Sequence, residues 1–332
     1  MSPADPAPAH GCAKVLVTEL AEGKETITYF LCAEKETATD RNGKAFLRLR
    51  LRDASGEIKA VHFDPSAEAL AVAAGDIVKI GGTYSVHPQY GPQLQVRRLR
   101  RMEHDEYDPA TLIPVSPIPV TELRDRLHTL VGAVTEPHLR ALLDRALDPD
   151  REPGATFAVV PAAVTHHHAY LNGLLEHSLI VAEVASLVAG SFPTVNRDLA
   201  VAGALLHDIG KTQSYSADLL NPGFTDAGRL HGEIVLGHQI LQDLIAELPE
   251  FPEELSAQLR HILIAHHGER EKGSPVVPAT REALIVHFCD DMCARVGAFD
   301  EAERGTAEGE RWSAFNRMLE TKLYVPPRDA EE

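Results

Sequence analysis

The doublet His207-Asp208, inside the run Leu205-Leu206-His207-Asp208-Ile209-Gly210-Lys211, sets two adjacent metal-capable side chains in an otherwise apolar helical segment. His177, the pair His266-His267 and Asp290 add imidazole and carboxylate donors elsewhere in the chain. No thiolate stands among them, and such a set suits Mn, Fe, Co or Zn better than a soft metal. A lone His on an apolar face is ordinarily a hydrogen-bonded core residue. Here each donor occupies its own apolar helical segment, as expected when several helices aim side chains at one interior point. Neighbours on a helix lie about 100° apart around its axis, so His207 and Asp208 are expected to diverge and to meet a cation over the helix edge. Donors from distant sequence must then complete the site.

The elements that would position these donors have the 3.6-residue period of helices, over 174–189, 199–207, 234–246, 254–266 and 281–296, preceded by a helix capped by Thr121 and running to about 147. The domain they form, 120–325, is expected to be all helical. From 14 to 101 the pattern changes to short alternating segments at 14–20, 26–33, 45–52, 57–63, 76–82 and 93–100. Turn chemistry separates them at Arg41-Asn42-Gly43, Asp53-Ala54-Ser55-Gly56 and Pro88-Gln89-Tyr90-Gly91-Pro92. About five strands in roughly 90 residues, interrupted by one helical segment at 65–74, is an OB-fold pattern. The reading is therefore a multidomain α+β chain, with an OB-fold β-barrel over 12–104, a stiff Pro-rich linker over 105–119 and the helical domain after it.

Arg48, Arg50 and Arg52 alternate with Leu47, Leu49 and Leu51, which puts the arginines on one strand face and the leucines in the core. Arg97, Arg98, Arg100 and Arg101 close the last strand, and Tyr84, Tyr90 and Phe63 are available for stacking. Arginine with aromatics suits a single-strand groove, while a solvated strand face over an aromatic core would look the same. The net charge of −17 argues against a polyanionic partner, but it is unevenly spread. Residues 1–104 hold 14 Lys and Arg against 13 Asp and Glu, and the remaining 228 hold 18 against 36. Capture of a nucleic acid therefore falls to the near-neutral barrel.

Four cysteines, Cys12, Cys32, Cys289 and Cys293, show no zinc-finger spacing, and Cys289 and Cys293, one helical turn apart, read as small core residues. No disulfide is expected. No stretch approaches the roughly 18–20 continuous apolar residues of a membrane span, and the first nine residues lack a basic region followed by an apolar core. A cytoplasmic location without a membrane partner is expected, and the acidic end of the chain reads as a solvated terminus.

The segment His167-His168-Ala169-Tyr170-Leu171-Asn172-Gly173-Leu174-Leu175-Glu176-His177, followed by the His207-to-Lys211 run, resembles the HD phosphohydrolase superfamily. Within it the chain is similar to the YhaM-type 3′-to-5′ exoribonucleases, whose further landmarks recur as Ala265-His266-His267-Gly268, Gly273-Ser274-Pro275-Val276 and the run from Glu282 to Asp290. The resemblance covers about 14–325. It implies that His177, His207, Asp208 and Asp290 hold one metal, that Asp208 bridges to a second, and that His266 and His267 serve the second. One position departs from the family: the run Gly232-Glu233-Ile234-Val235-Leu236-Gly237 has Glu233 where the family has a ligand His. Glu233 is favoured as the replacement because Ile234 and Gly237 keep the register, with His231 and His238 as alternatives. Two divalent ions are implied, Mn foremost, with Fe, Co, Zn or Mg as alternatives.

The implied chemistry is phosphodiester hydrolysis by a metal-activated water, with two cations about 3.5–4 Å apart. Lys211 would neutralise phosphoryl charge, unless it is an ordinary helix-end lysine. His167 and His168 would contact the phosphate or the terminal ribose, unless they form a solvent-facing turn. His287 reads as a buried, hydrogen-bonded histidine, or else as a support for the ligands or a substrate contact. The expected activity is a 3′-to-5′ exoribonuclease on single-stranded RNA, with single-stranded DNA a further substrate to test. Two readings compete: a phosphohydrolase of free nucleotides or cyclic dinucleotides, and a non-catalytic nucleic-acid-binding protein with a degenerate metal site. No oligomerisation motif is evident, and a homo-oligomer stays open.

Overall fold

A computed structural model of the protein describes residues 14–39, 43–87, 91–103, 105–163, 168–216, 223–307 and 309–326. Cys12, Tyr90 and His167 lie outside the described residues. The chain forms two compact units, one reaching to Val115 and one starting at Ser116.

In the first unit β1 (Glu25–Thr39), β2 (Ala45–Asp53), β3 (Gly56–Phe63), α1 (Ala67–Ala71), β4 (Ile77–His87) and β5 (Gly91–Arg101) follow one another, and the strands close a barrel in the order β1-β2-β3-β5-β4. With β3 and β5 parallel, the other pairs antiparallel and a helix between β3 and β4, this is the OB-fold. Period-2 geometry works as expected in β2: Leu47, Leu49 and Leu51 are buried, while Arg48 and Arg50 are exposed. β1 is longer than its sequence pattern suggests. A register shift between Cys32 and Glu34 bends it, so that its first half pairs with β4 and its second half with β2.

The strand expected over 14–20 is absent; the segment is irregular and contains a 3₁₀ turn at Val17–Glu19. Side chains satisfy its polar groups in place of a ladder. The Thr28 hydroxyl bonds both the N–H and the carbonyl of Val15, at 2.9 Å each, and the Asp53 carboxylate accepts from Val17 N at 2.9 Å. Lys14 Nζ lies 2.7 Å from Asp53 Oδ2 and 3.9 Å from the centre of the Phe30 ring, and this ion pair is almost fully buried. Removing one partner would leave a buried, uncompensated charge. Asp53→Ala is accordingly expected to destabilise the barrel by about 3–5 kcal/mol, measured by urea unfolding. A loss below ~1 kcal/mol would show the pair to be solvated.

The segment expected as a stiff linker is partly docked. Leu112 and Ile113 are buried, Thr111 Oγ1 lies 3.0 Å from the Tyr29 hydroxyl, and Thr111 O accepts from Ala54 N.

The second unit is helical: α2 (Val120–Gly132), α3 (Pro137–Ala146), α4 (Gly154–Phe157), α5 (Gly173–Gly190), α6 (Arg197–Leu206), α7 (Lys211–Ser214), α8 (Asp226–Ala246), α9 (Glu253–Ala265) and α10 (Arg281–Gly305). The single helix expected from 121 to 147 is two helices. Pro137 cannot continue a helix, and the Glu136 carboxylate caps the new one by accepting from Leu139 N at 2.6 Å. The intervening turn is pinned by Asp198, which accepts from the backbone N–H groups of Thr135 and Glu136 and from the Thr135 hydroxyl. α5 has the length and mean hydropathy of a membrane-crossing helix, but most of it is buried, packed against α2, α6 and α10. It is the central helix of this unit. After α10 the chain adds a hairpin that the periodicity did not foresee, β6 (Trp312–Asn316) and β7 (Thr321–Tyr324). Cys32, Cys289 and Cys293 are free and buried.

Candidate metal centre

α6 ends at Leu206, and the His207-Asp208 doublet occupies the turn that leads into α7. This corrects the expectation that the two side chains diverge. The chain leaves the helix here, and His207 Nε2 lies 3.3 Å from Asp208 Oδ2. His177, near the start of α5, brings its Nε2 to 3.2 Å from His207 Nε2 and 3.5 Å from Asp208 Oδ2. Asp290, on α10, places Oδ1 3.1 Å from His177 Nε2 and 3.7 Å from His207 Nε2. Metal–ligand bonds of about 2.1 Å put neighbouring donor atoms roughly 3–3.5 Å apart, so the donor atoms of His177, His207 and Asp290 are spaced as ligands of one cation, and Asp208 Oδ2 lies beside the two imidazoles.

A second group of donors adjoins the first. His266, at the end of α9, points Nε2 to 3.7 Å from Asp208 Oδ1, and neither of these buried atoms has a hydrogen-bond partner among the described residues. Two orphaned buried polar atoms facing one another are costly unless a further group satisfies both, which a cation would. His267 Nε2 lies 3.7 Å from Glu233 Oε1, and the His266 and His267 ring centres are 4.3 Å apart. Glu233 follows Gly232, whose φ of 75° and ψ of 159° kink α8. Of the three candidates at this position, Glu233 meets His267, whereas His231 is exposed and His238 half-buried.

The imidazoles are oriented from behind. Nδ1 of His207 donates to Ala204 O at 2.7 Å, Nδ1 of His266 to Leu263 O at 2.6 Å and Nδ1 of His267 to Lys272 O at 3.0 Å. In each case Nε2 is left for the centre. His177 Nδ1 meets Cys293 Sγ at 3.6 Å, and burial pushes this thiol up to about 12, so it stays protonated. Burial opposes a charge on His207, but Asp208 and Asp290 overcome it and raise the imidazole to about 10. Burial, aided by the neighbouring His207 charge, lowers His266 to about 3. Both carboxylates lie well below their usual range: burial works against them, but Lys211 and His207 hold down Asp208, and His177 and His207 hold down Asp290.

Lys211 Nζ lies 2.6 Å from Asp208 Oδ2, and Lys211, His266, His287 and Asp290 all line a cleft of about 250 Å³. His168, at φ 58°, sets Nε2 3.8 Å from Glu176 Oε1, and the Tyr170 hydroxyl donates to Glu176 Oε2 at 2.9 Å. The sequence reading missed the buried Glu176 and the Cys293 contact. Their signal was spacing alone: Glu176 precedes His177, and Cys293 follows Asp290 by three residues on one helix face.

Two glycines make the geometry reachable. A Cβ at Gly210 would overlap the backbone of Glu233 and Gly237, so this glycine allows the doublet's turn to lie directly against α8. At Gly268, φ 78°, a Cβ would overlap the His287 ring, whose Nδ1 donates to His266 O at 2.9 Å. Gly210→Ala is expected to force α7 and α8 apart and destabilise this unit by about 1–3 kcal/mol, seen as a lowered thermal midpoint. An unchanged midpoint would contradict the close approach.

On the barrel, Arg48 pairs with Glu36 at 3.5 Å, Arg50 with Glu34 at 3.1 Å and Glu57 at 3.7 Å, and Arg97 with Glu25 at 3.4 Å. Arg52 is half-buried, and burial lowers its pKa. Phe46 and Phe63 stack at 5.5 Å, with Arg48 5.3 Å from the Phe46 ring centre.

Residues 174–295, which contain His177, His207, Asp208, Glu233, His266, His267 and Asp290, match the HD domain family. The 3′-5′ exoribonuclease YhaM of Bacillus subtilis (strain 168) is 31% identical over 313 residues, covering 92% of this chain and 96% of that protein. The protein of the same name from Listeria innocua serovar 6a is 33% identical over 293 residues, covering 86% and 90%. Among solved structures, the second OB-fold domain of replication protein A from Methanococcus maripaludis aligns with 27% of this chain and 96% of its own at 19% identity and a TM-score of 0.24. The likeness to the two bacterial proteins extends through barrel and helical unit alike, and the chain belongs to the family of the 3′-5′ exoribonuclease YhaM.

Proposed function

We propose that this protein is a metal-dependent 3′-to-5′ exonuclease of single-stranded RNA. The observation that carries the reading is the convergence of His177, His207 and Asp290, whose donor atoms lie 3.1–3.7 Å apart, with Asp208 Oδ2 3.3–3.5 Å from the two imidazoles. The activity named for its relatives, 3′-5′ exoribonuclease, supports the substrate and the direction. These four residues would hold one divalent ion, with Mn the first choice for imidazole and carboxylate donors. Asp208 would share a second ion with His266, His267 and Glu233. Bound there, the ions supply an acidified water and charge neutralisation at the phosphodiester.

The chain's own groups do the rest. Lys211 is held as an ammonium well above its ordinary range, because Asp208 outweighs the effect of burial, and it donates to a non-bridging phosphoryl oxygen. His168, backed by Glu176, contacts the terminal phosphate or ribose. The Nδ1 bonds of His207, His266 and His267 prevent ring rotation, so the site is organised before substrate arrives.

Arg48, Arg50, Arg52, Arg97 and Tyr90 are assigned to the strand on the barrel. Exposed Arg–Glu pairs are weak, so a phosphate can displace a glutamate from them. Buried free thiols and an RNA substrate fit the cytoplasm. The test is incubation of 5′-labelled RNA and DNA of matched sequence with Mn or with EDTA. RNA shortening in single-nucleotide steps that EDTA abolishes is expected, and the DNA lane sets the sugar preference. Internal cuts, or no shortening, would overturn the assignment.

A further inference from the structure

The helical unit is acidic, but its C-terminal hairpin is not. Residues 105–332 carry 18 Lys and Arg against 36 Asp and Glu, whereas residues 311–324 carry Arg311, Arg317 and Lys322 against Glu320 alone. The inner face of the hairpin, Ser313 and Leu323, is buried, and β6 packs on α10. Its outer face is aromatic, with Trp312 57%, Phe315 60% and Tyr324 43% exposed. Trp312 and Tyr324 are cross-strand partners with ring centres 5.5 Å apart and planes at 72°. The Arg311 guanidinium lies 5.1 Å from the Tyr324 ring centre and bonds the Tyr324 hydroxyl. A groove of about 460 Å³ runs beside it, floored by Ala298 and Ala302 of α10 and walled by Phe315 and Arg317.

Among the described residues neither Arg317 nor Lys322 has a carboxylate partner, whereas Arg48, Arg50 and Arg97 of the barrel each face a glutamate. We propose that the β6–β7 hairpin and its groove form a stacking platform for single-stranded nucleic acid, taking bases on Trp312, Phe315 and Tyr324 and phosphates on Arg311, Arg317 and Lys322. Exposed rings interleaved with uncompensated cations match the two faces of such a strand. A second copy of this chain fits less well, because a two-fold contact would press these cations against their own copies and strip them of water. The helix that backs the hairpin also carries Asp290, eight residues before Ala298 and about 12 Å away along its axis. A strand lying on the platform therefore has the metal donors within reach. This inference rests on the reading of the substrate as a polynucleotide.

Trp312 is the only tryptophan in the chain, so its emission reports on this surface alone. The experiment follows Trp312 emission and the anisotropy of a 5′-labelled 20-nucleotide RNA together, on the full chain in EDTA so that the strand survives. Quenching of Trp312 in step with the anisotropy rise is expected. Tyr324→Ala should weaken binding about tenfold. The surface double variant Arg317→Glu/Lys322→Glu, which leaves the rings in place, should weaken it at least as much and lower the slope of log affinity against log salt by about 1.4. Binding that leaves Trp312 emission unchanged, with the charge-reversed variant matching wild type, overturns the platform and spares the exonuclease reading. Emission that changes with protein concentration in the absence of RNA marks the face as a contact between copies and overturns the platform too. If wild-type protein binds no strand at all, the platform and the polynucleotide reading fail together.

Discussion

Asp208→Asn is expected to lower strand hydrolysis by about 10³-fold or more and to reduce the metal content of the purified protein. The two carboxylate oxygens of Asp208 face the two groups of donors. Oδ2 lies within 3.5 Å of His177, His207 and Lys211, and Oδ1 faces His266 Nε2 at 3.7 Å. Asparagine keeps the shape but replaces one oxygen by a donor and removes the negative charge that both groups of ligands share. A loss of several kcal/mol of transition-state stabilisation follows, which is three powers of ten or more in rate. The same change leaves the Lys211 ammonium without its partner, so a fall in stability of about 3–5 kcal/mol is expected alongside. The double variant Asp208→Asn/Lys211→Met separates the two effects, since it removes both members of the ion pair. It should regain much of the thermal midpoint and none of the activity. If Asp208→Asn turns over within tenfold of wild type, Asp208 does not bridge two ions.

Legibility in the sequence followed the range of the forces involved. The Leu47-Arg48-Leu49-Arg50-Leu51 alternation obeys the two-residue period of a strand and was readable at once, as were the apolar periods of α5, α6 and α9. The curvature of β1 was not, because the bend at Cys32/Glu34 is set by two different partner strands rather than by local propensity. Nor was the loss of the strand at 14–20, which depends on Asp53, 39 residues beyond Lys14, capturing the Lys14 charge. In the site, a histidine next to an aspartate announces itself. A buried glutamate such as Glu176 or a buried thiol such as Cys293 looks like ordinary core until packing sets it beside an imidazole. The strands of the hairpin span only five and four residues, too short for a period to show, and its exposed rings carry no signal until the face they share is known.

Metal affinity is expected to rise about tenfold per pH unit between pH 6.5 and 8.5, with one proton released per chain as the first ion binds. In the metal-free protein His207 is an imidazolium, raised to about 10 by Asp208 and Asp290 against the effect of burial, and it must lose that proton to offer Nε2 to a cation. Over this range no other shifted donor contributes. His266 is already neutral, with a value of about 3, and Asp208 and Asp290 are already ionised, being held well below their usual range. The same shifts fix the stability profile. A folded value above the ordinary ~6.5 means that His207 stabilises the metal-free fold fully below pH ~6.5 and loses that contribution as pH rises through about 10. The two depressed aspartates act the other way: their contribution is present above ~3.9 and disappears as pH falls through their lowered values. Chelator-treated protein should therefore be most stable between about pH 4 and 6.5 and lose thermal midpoint steadily above that. Metal-loaded protein should not follow the alkaline decline, because the ion has already displaced the His207 proton. Titration calorimetry at pH 7.5 in two buffers of different ionisation enthalpy measures the proton count directly. A count near zero would mean that His207 is neutral before the ion arrives, and that Asp208 and Asp290 do not hold its charge.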